Sequence, residues 1–281
     1  PVPYEVDLQN DPGFVERVYD DPRAATRDCD LTDDERQWLV RSDRRAWTID
    51  PLRRARSLTG LLEEFAVTCA RLVRAIGLDE ASGRLDRYFS SATFHHDLQN
   101  GSTLSESFGH WLASSEAMLD VDATTVLAEH PIEHAIARSR RAYETRGVVD
   151  PPAGTITWAA GVDVAIAREG AVQSFAAALG ALRSHPNGLH EAVLDRNYDL
   201  VAPPAGSAPE LGVLVLGHTG DVGLEALTAE LATILEACRR PVAFDDLCAH
   251  ASKLGATPED VREIVGSFGE DGELLTGVRR S

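Results

Sequence analysis

The sequence is short of basic residues. Against 45 aspartates and glutamates stand 27 lysines and arginines, giving a formal net charge of −18 and a pI near 4.8. Affinity for nucleic acid comes largely from cations that displace counterions from phosphate, so a chain this acidic is repelled by that backbone. Long apolar runs are missing too, and without 18 consecutive apolar residues no membrane-spanning helix is expected. Nothing near Pro1 has the pattern of a secretory signal, and the expectation is a cytoplasmic protein. The four cysteines, at positions 29, 69, 238 and 248, form no C-x-x-C pair. That excludes a paired-cysteine redox or metal motif and argues against a disulfide framework. Cys69, Cys238 and Cys248 fall on apolar helical stripes, where a thiol acts as a small hydrophobe. There is no G-x-S-x-G, no P-loop and no G-x-G-x-x-G after a strand. "LGHTGDVG" (216–223) is rich in glycine but reads as a hairpin turn, since no lysine or arginine follows. No self-sufficient active site is expected.

What is present describes a globular protein with a real core. Of 281 residues, 43% are hydrophobic and 26% charged, which accommodates one or two domains. The first half reads as helical. In "LTDDERQWLV" (31–40) Thr32 and Glu35 make a capping box that starts a helix with Trp38 and Leu39 inward. Leu58, Leu62, Phe65, Cys69, Leu72 and Ile76 form one stripe of a single helix over 58–76. Phe108, Trp111 and Leu112 are core candidates in 107–119, and 124–145 closes the region. The prolines and glycines of "GVVDPPAGT" (147–155) place a boundary there. The expected domains are 1–147, helical, and 148–281, with an irregular linker region over 148–205. Within that region "TITWAAGVDVAIA" (155–167) is extended, 171–184 is helical, and "YDLVAPPAGSAPE" (198–210) is a short strand and a loop. "LGVLVLGH" (211–218) is a buried strand, and "TGD" (219–221) turns into a second strand around Val222. Three helices follow, over Leu227–Cys238, 244–255 and from the cap at Thr257 and Pro258 onward. The fold class is therefore α+β: a mainly helical N-terminal domain, then a small winged-helix-like domain of a short antiparallel sheet plus three helices.

Two histidine motifs invite metal chemistry. His130, Glu133 and His134 read H-x-x-E-H, the pattern of inverted zinc peptidases. Pro131 disfavours α conformation at His130. If it starts the helix, His130 lies outside and shares no face with His134; if the helix runs through, Pro131 kinks it. No third ligand stands out in "AIARSRRAYE", and the segment reads as a structural helix. In "FHHDL" (94–98) adjacent residues point about 100° apart on a helix, so His95 and His96 do not chelate together. They read as an exposed or helix-capping pair, with a pairing of one of them to His110 or to an acid from elsewhere as the alternative.

The winged-helix layout invites DNA binding, but the third helix carries Glu259, Asp260 and Glu263 with only Arg262 basic, the opposite of a recognition helix. Peptide capture is the alternative, with an extended peptide added to a sheet edge and its side chains in a groove beside the third helix. The peptide-binding candidates are Val213, Val215, Val222, Val261, Ile264, Val265 and Phe268, each of which ordinary core packing would also explain.

The last 75 or so residues, with "GDVGLEALTAELATIL" and "DVREIVGSFGEDGELL", resemble the leader-peptide recognition domain of ribosomal peptide natural product pathways. The N-terminal half, through "LTDDERQWLVRSDRRAW", "RYFSSATFHHDLQNGSTLSESFGHWLA" and "PIEHAIARSRRAYE", resembles the partner proteins of multinuclear non-haem iron oxidative enzymes, methanobactin-biosynthesis type. There Glu133, His134 and Ala135 occupy a Glu-aromatic-Ala run that precedes arginines. The resemblance implies a non-catalytic subunit without cofactor of its own. Its partners would be a TIM-barrel multinuclear iron enzyme, which holds the iron, and a ribosomal precursor peptide, with no nucleic acid and no membrane. Arg138 and Arg141 are the partner-docking candidates. The rival readings are an acidic winged-helix transcriptional regulator or ligand-sensing protein, and an enzyme subunit with a histidine metal site.

Overall fold

The computed structural model describes residues 11–29, 31–41, 44, 53–145, 152–217, 222–269 and 275–276. The chain forms two compact units, 1–126 with 179–200, and 127–178 with 201–281.

The first unit is helical. Its elements begin with α1 (Pro12–Asp20), α2 (Pro22–Ala25), α3 (Asp33–Arg41), α4 (Arg53–Glu64), α5 (Ala66–Ile76) and α6 (Leu78–Arg87). After a 3-10 turn at Tyr88–Ser90 come α7 (Ala92–Gln99), α8 (Leu104–Leu112) and α9 (Ala123–Val126). The Thr32 cap is present, with the Thr32 amide donating to Glu35 Oε2 at 2.7 Å and the Glu35 amide to Thr32 Oγ1 at 3.3 Å. Leu39 is buried with Phe14, Val15 and Val18, and the Trp38 side chain lies outside the described part. The single helix expected over 58–76 is two helices. Phe65 leaves the α region at φ −113°, ψ 44°, and its ring packs edge-on against Phe108, 5.5 Å between centroids. The apolar stripe survives the bend, with Leu62, Phe65, Cys69 and Leu72 all buried. Every residue of α5 from Ala66 to Val73 is buried, making it the central helix of the unit. Tyr88 stands among the rings of Phe89, Phe94, Phe108 and Trp111, and its hydroxyl donates to the Leu104 carbonyl at 3.0 Å. Edge-on ring pairs of this kind add about 0.5–1.5 kcal/mol each beyond burial.

The second unit opens with α10 (His130–Thr145), then β1 (Thr155–Trp158), β2 (Val162–Arg168) and the part of α11 (Ala171–Arg183) up to Ala178. The chain then contributes α12 (Leu189–Leu194) to the first unit. Back in the second unit follow β3 (Glu210–Gly217), β4 (Val222–Leu227), α13 (Ala229–Glu236), a 3-10 turn (Ala237–Arg239) and β5 (Val242–Ala243). It ends on α14 (Phe244–Ser252), α15 (Pro258–Gly269) and β6 (Leu275–Thr276). The fold is α+β: a helical N-terminal region, then a smaller part where a β3–β4 hairpin precedes three helices. Among the described residues there are two antiparallel sheets, β2-β3-β4 and β5-β1-β6. No strand forms at Tyr198; its carbonyl accepts Arg74 Nη2 at 2.8 Å, its hydroxyl donates to Ala181, and Pro203 and Pro204 follow. The hairpin turn at 219–221 lies outside the described residues, among which no helix is long and apolar enough to cross a membrane.

Pleating sorts the larger sheet. Val162, Val164 and Leu214 face the core built with Ala232, Leu235, Leu247, Val261 and Val265. The alternate residues Asp163, Val213, Val215 and Gly217 face α10. Helices cover the sheet closely on both sides. A Cβ on Gly217 would run into Ser139 of α10, and one on Gly212 into Ala232 and the Thr228 carbonyl. The sequence reading draws its boundary after 147. The compact units instead divide after 126, because buried Ile132, Ala135, Ile136 and Ser139 seat α10 against β2 and β3. The region read as an irregular linker, 148–205, holds β1, β2, α11 and α12.

Candidate peptide-binding surface

The middle strand β3 has neighbours on both sides, whereas β2 and β4 each present one outer edge. Which backbone groups point outward follows from a few bonds. The Gly217 amide donates to Gly161 at 2.7 Å and the Glu169 amide to Pro209 at 2.8 Å. Antiparallel pairing alternates, so 163, 165 and 167 bond β3, and 162, 164, 166 and 168 point away. On β3 the residues 212, 214 and 216 then bond Leu227, Glu225 and Gly223. The backbone groups of Val222, Leu224 and Ala226 face outward.

The two edges are treated differently. At β2 the outward groups of Val164 are occupied by side chains. Its amide donates to Asp163 Oδ1 at 2.7 Å, and its carbonyl accepts Arg239 Nη2 at 3.2 Å. Asp163, only 4% exposed, also accepts Arg138 Nε at 2.6 Å and Arg239 Nη2 at 2.8 Å. One buried carboxylate with two guanidiniums closes the strand there, a known way of blunting an edge. Along β4 exposure runs from half-buried Val222, Leu224 and Leu227 to exposed Gly223, Glu225 and Ala226.

The seven leader-binding candidates do not share one surface. Val213 and Val215 are fully buried and face α10, while Val261 and Val265 lie in the core on the opposite side of the sheet. Val222 on β4 and Ile264 and Phe268 on α15 keep partial exposure. The third helix packs with α14 and β6. Its Asp260 closes a capping box on Thr257, the Asp260 amide donating to Thr257 Oγ1 at 3.2 Å. The Thr257 amide bond holds the Asp260 carboxyl below its ordinary value, and Glu259 pairs with Arg262 at 3.5 Å. Of the docking candidates, Arg138 turns inward to Asp163 and Arg141 is half-buried.

Histidine geometry differs from the sequence reading at one place. His130 is the first residue of α10, not outside it, because Pro131 falls in the first turn, where its missing N–H costs no helix bond. His130 and His134 therefore come together, 5.5 Å between ring centroids. They line a cleft of about 260 Å³ with Arg138, Glu236, Arg239 and the Val164–Ile166 stretch of β2. Glu133 is buried but does not line it. In the first unit His95 and His96 diverge as expected. His95 Nε2 lies 3.3 Å from the buried Asp11, while Asp97 binds His110 Nδ1 at 2.7 Å and His96 Nδ1 at 3.3 Å. Among the described residues no group of three or more histidines, cysteines or acids could hold a metal ion. Burial pushes the Cys238 thiol up to about 12, so it stays protonated and packs as an apolar group.

Sequence reasoning passed over Asp163, Glu236 and Arg239. The signal for the first was there: a lone acid in the otherwise apolar strand "VDVAIA" needs a buried cation. No protein-family profile, curated protein or solved structure matches the chain.

Proposed function

We propose that the chain is a non-catalytic accessory subunit that binds an extended peptide along the outer edge of β4. The observation that carries the proposal is that edge itself. It runs for six residues, whereas the outer strands of the smaller sheet are two residues each and β2 is closed at Val164. An added strand gains affinity from ladder bonds to Val222, Leu224 and Ala226, and selectivity from the side chains beside them. In keeping with the resemblance, the peptide is the leader of a ribosomal precursor. The helical unit then docks on a TIM-barrel iron enzyme in the cytoplasm, which carries the iron and oxidises the core peptide.

Two neighbouring prolines test the edge. Ala226 and Glu225 are both exposed, but only the Glu225 amide serves the ladder to Leu214. Ala226→Pro removes an outward donor and is expected to leave the melting curve within about 1 kcal/mol of wild type, as proline does on edge strands. Leader binding by calorimetry should fall about tenfold, the equivalent of one lost hydrogen bond. Glu225→Pro should cost about 3 kcal/mol of stability by breaking the ladder. Unchanged leader affinity in folded Ala226→Pro would remove β4 from the interface. Co-purification of the chain with a TIM-barrel iron enzyme tests the partner half of the reading.

A further inference from the structure

The cleft beside the closed β2 edge takes no part in strand addition at β4. His130, His134 and Arg138 are four residues apart and form one stripe of α10 along one wall. Glu236 and Arg239 form the facing wall, and the apolar Val164–Ile166 stretch lies between them. Both guanidiniums are fixed by the same buried carboxylate, yet most of their donors remain unused. Arg138 uses Nε on Asp163, and its terminal nitrogens have no hydrogen-bond partner among the described residues. Arg239 uses Nη2, and its Nε is buried without a partner. The pair is preorganised, and the free terminal fork of Arg138 matches the planar, two-point geometry of an oxyanion, with Nη1 of Arg239 as a further donor.

We propose that this cleft binds a carboxylate, gripped by Arg138 and Arg239, with His130 and His134 at its flank and its aliphatic stem along Val164 and Ile166. Charge decides between carboxylate and phosphate. The two arginines are balanced by Asp163 and Glu236, so the cleft has no surplus to offer a phosphate group carrying about −1.5 to −2. A monoanion asks less, and burial of its stem against β2 favours it further. The carboxylate would come either from an acidic side chain of a peptide or from a free short-chain acid.

The test is calorimetric titration of the full chain with butyrate, with inorganic phosphate, and with N-acetyl-Val-Glu-Val-amide and its glutamine counterpart. The arginine Nε–H resonances are followed by NMR alongside. Binding of the glutamate peptide or of butyrate should move the Arg239 Nε–H signal, and phosphate should bind about tenfold more weakly. Arg239→Lys keeps a charge beside Asp163 but loses the unused Nη1 donor, and should weaken carboxylate binding about tenfold. Glu236→Gln removes a repelling rim charge from a half-exposed position and should strengthen it a few-fold. That variant carries the test even if Arg239→Lys fails to fold. A glutamate peptide that outbinds butyrate assigns the carboxylate to a peptide side chain, and the reverse assigns it to a free acid. The proposal is overturned if neither probe binds at millimolar concentration, if phosphate binds as tightly, or if affinity is indifferent to both substitutions. Because the glutamate-to-glutamine difference isolates the carboxylate, the outcome is independent of strand addition at β4.

Discussion

The two outer strands of the β2-β3-β4 sheet share a middle strand and a register but meet their surroundings in opposite ways. β2 carries a buried acid whose carboxylate caps its own next amide, and a distant arginine caps the carbonyl of the same residue. β4 carries no such device among the described residues, and half of its residues are exposed. An unpaired edge invites association with other chains, and proteins ordinarily blunt it. Closing one edge and leaving its opposite open is what a strand-accepting module requires, since a second open edge would recruit peptides in the wrong place.

The largest way to break that contrast is at Asp163. Asp163→Ala leaves Arg138 and Arg239 without their shared counter-ion and the Val164 amide without an acceptor. Removing one member of a buried ion pair costs about 3–5 kcal/mol, read from urea denaturation. Asp163→Asn keeps an acceptor for the Val164 amide but drops the charge, and should cost less. If edge closure is the role of this cluster, the alanine variant that still folds should self-associate or bind peptide a second time along β2. Sedimentation and calorimetric stoichiometry identical to wild type would sink that assignment.

A step down in size is Gly217→Val. The substitution sits on the middle strand, where α10 approaches so closely that an added Cβ meets Ser139. Overpacking of this sort costs about 1–3 kcal/mol, and neither edge strand should be affected separately from the other. A denaturation midpoint within error of wild type would show that α10 can draw back. The seat of α10 on the sheet would then be looser than its buried residues indicate.

The helical half was legible because its signals are local. The Thr32–Glu35 cap, the Phe108–Leu112 core and the stripe from Leu62 to Leu72 each depend on residues a turn or two apart. A bend at Phe65 escaped because it pivots on the stripe and leaves the periodicity intact. The sheet was legible as strands but not as faces. β3 is covered by a helix on each side, so Val213 and Leu214 look alike in sequence although one faces α10 and the other the core. Pairing of β1 with β5 and β6 joins residues more than eighty positions apart, as in Thr155 with Ala243, and no local pattern announces it. The same holds for the candidate site. "HPIEH" drew attention to His130 and His134, whereas Asp163 and Arg239, which organise that corner, are brought to it only by the fold.

The smallest expected effect supplies a control from the other unit. Asp11 is also a buried aspartate, 2% exposed, but it caps a helix instead of a strand edge. It accepts the Gly13 amide at 2.8 Å and contacts Arg17 and His95 at 3.3 Å each. Burial pushes its carboxyl up, but the His95 ring, the Phe14 amide and Arg17 together outweigh burial and hold it below the ordinary value. A lowered folded pKa means that the unfolded chain takes up the proton first as pH falls. The contribution of Asp11 is therefore whole above the unfolded value of about 3.9 and is lost as pH drops through the lower folded value. Asn is as good a helix cap as Asp, so Asp11→Asn should isolate the charge. Its stability deficit, from urea midpoints at successive pH values, should shrink below about pH 4, as the Asp11 charge is lost. A deficit that stays constant into that acid range would show that the Asp11 charge is not what ties α1 to α7. The helix cap and the packing of Phe14 on the His95 ring, 5.2 Å between centroids, would then hold the two together.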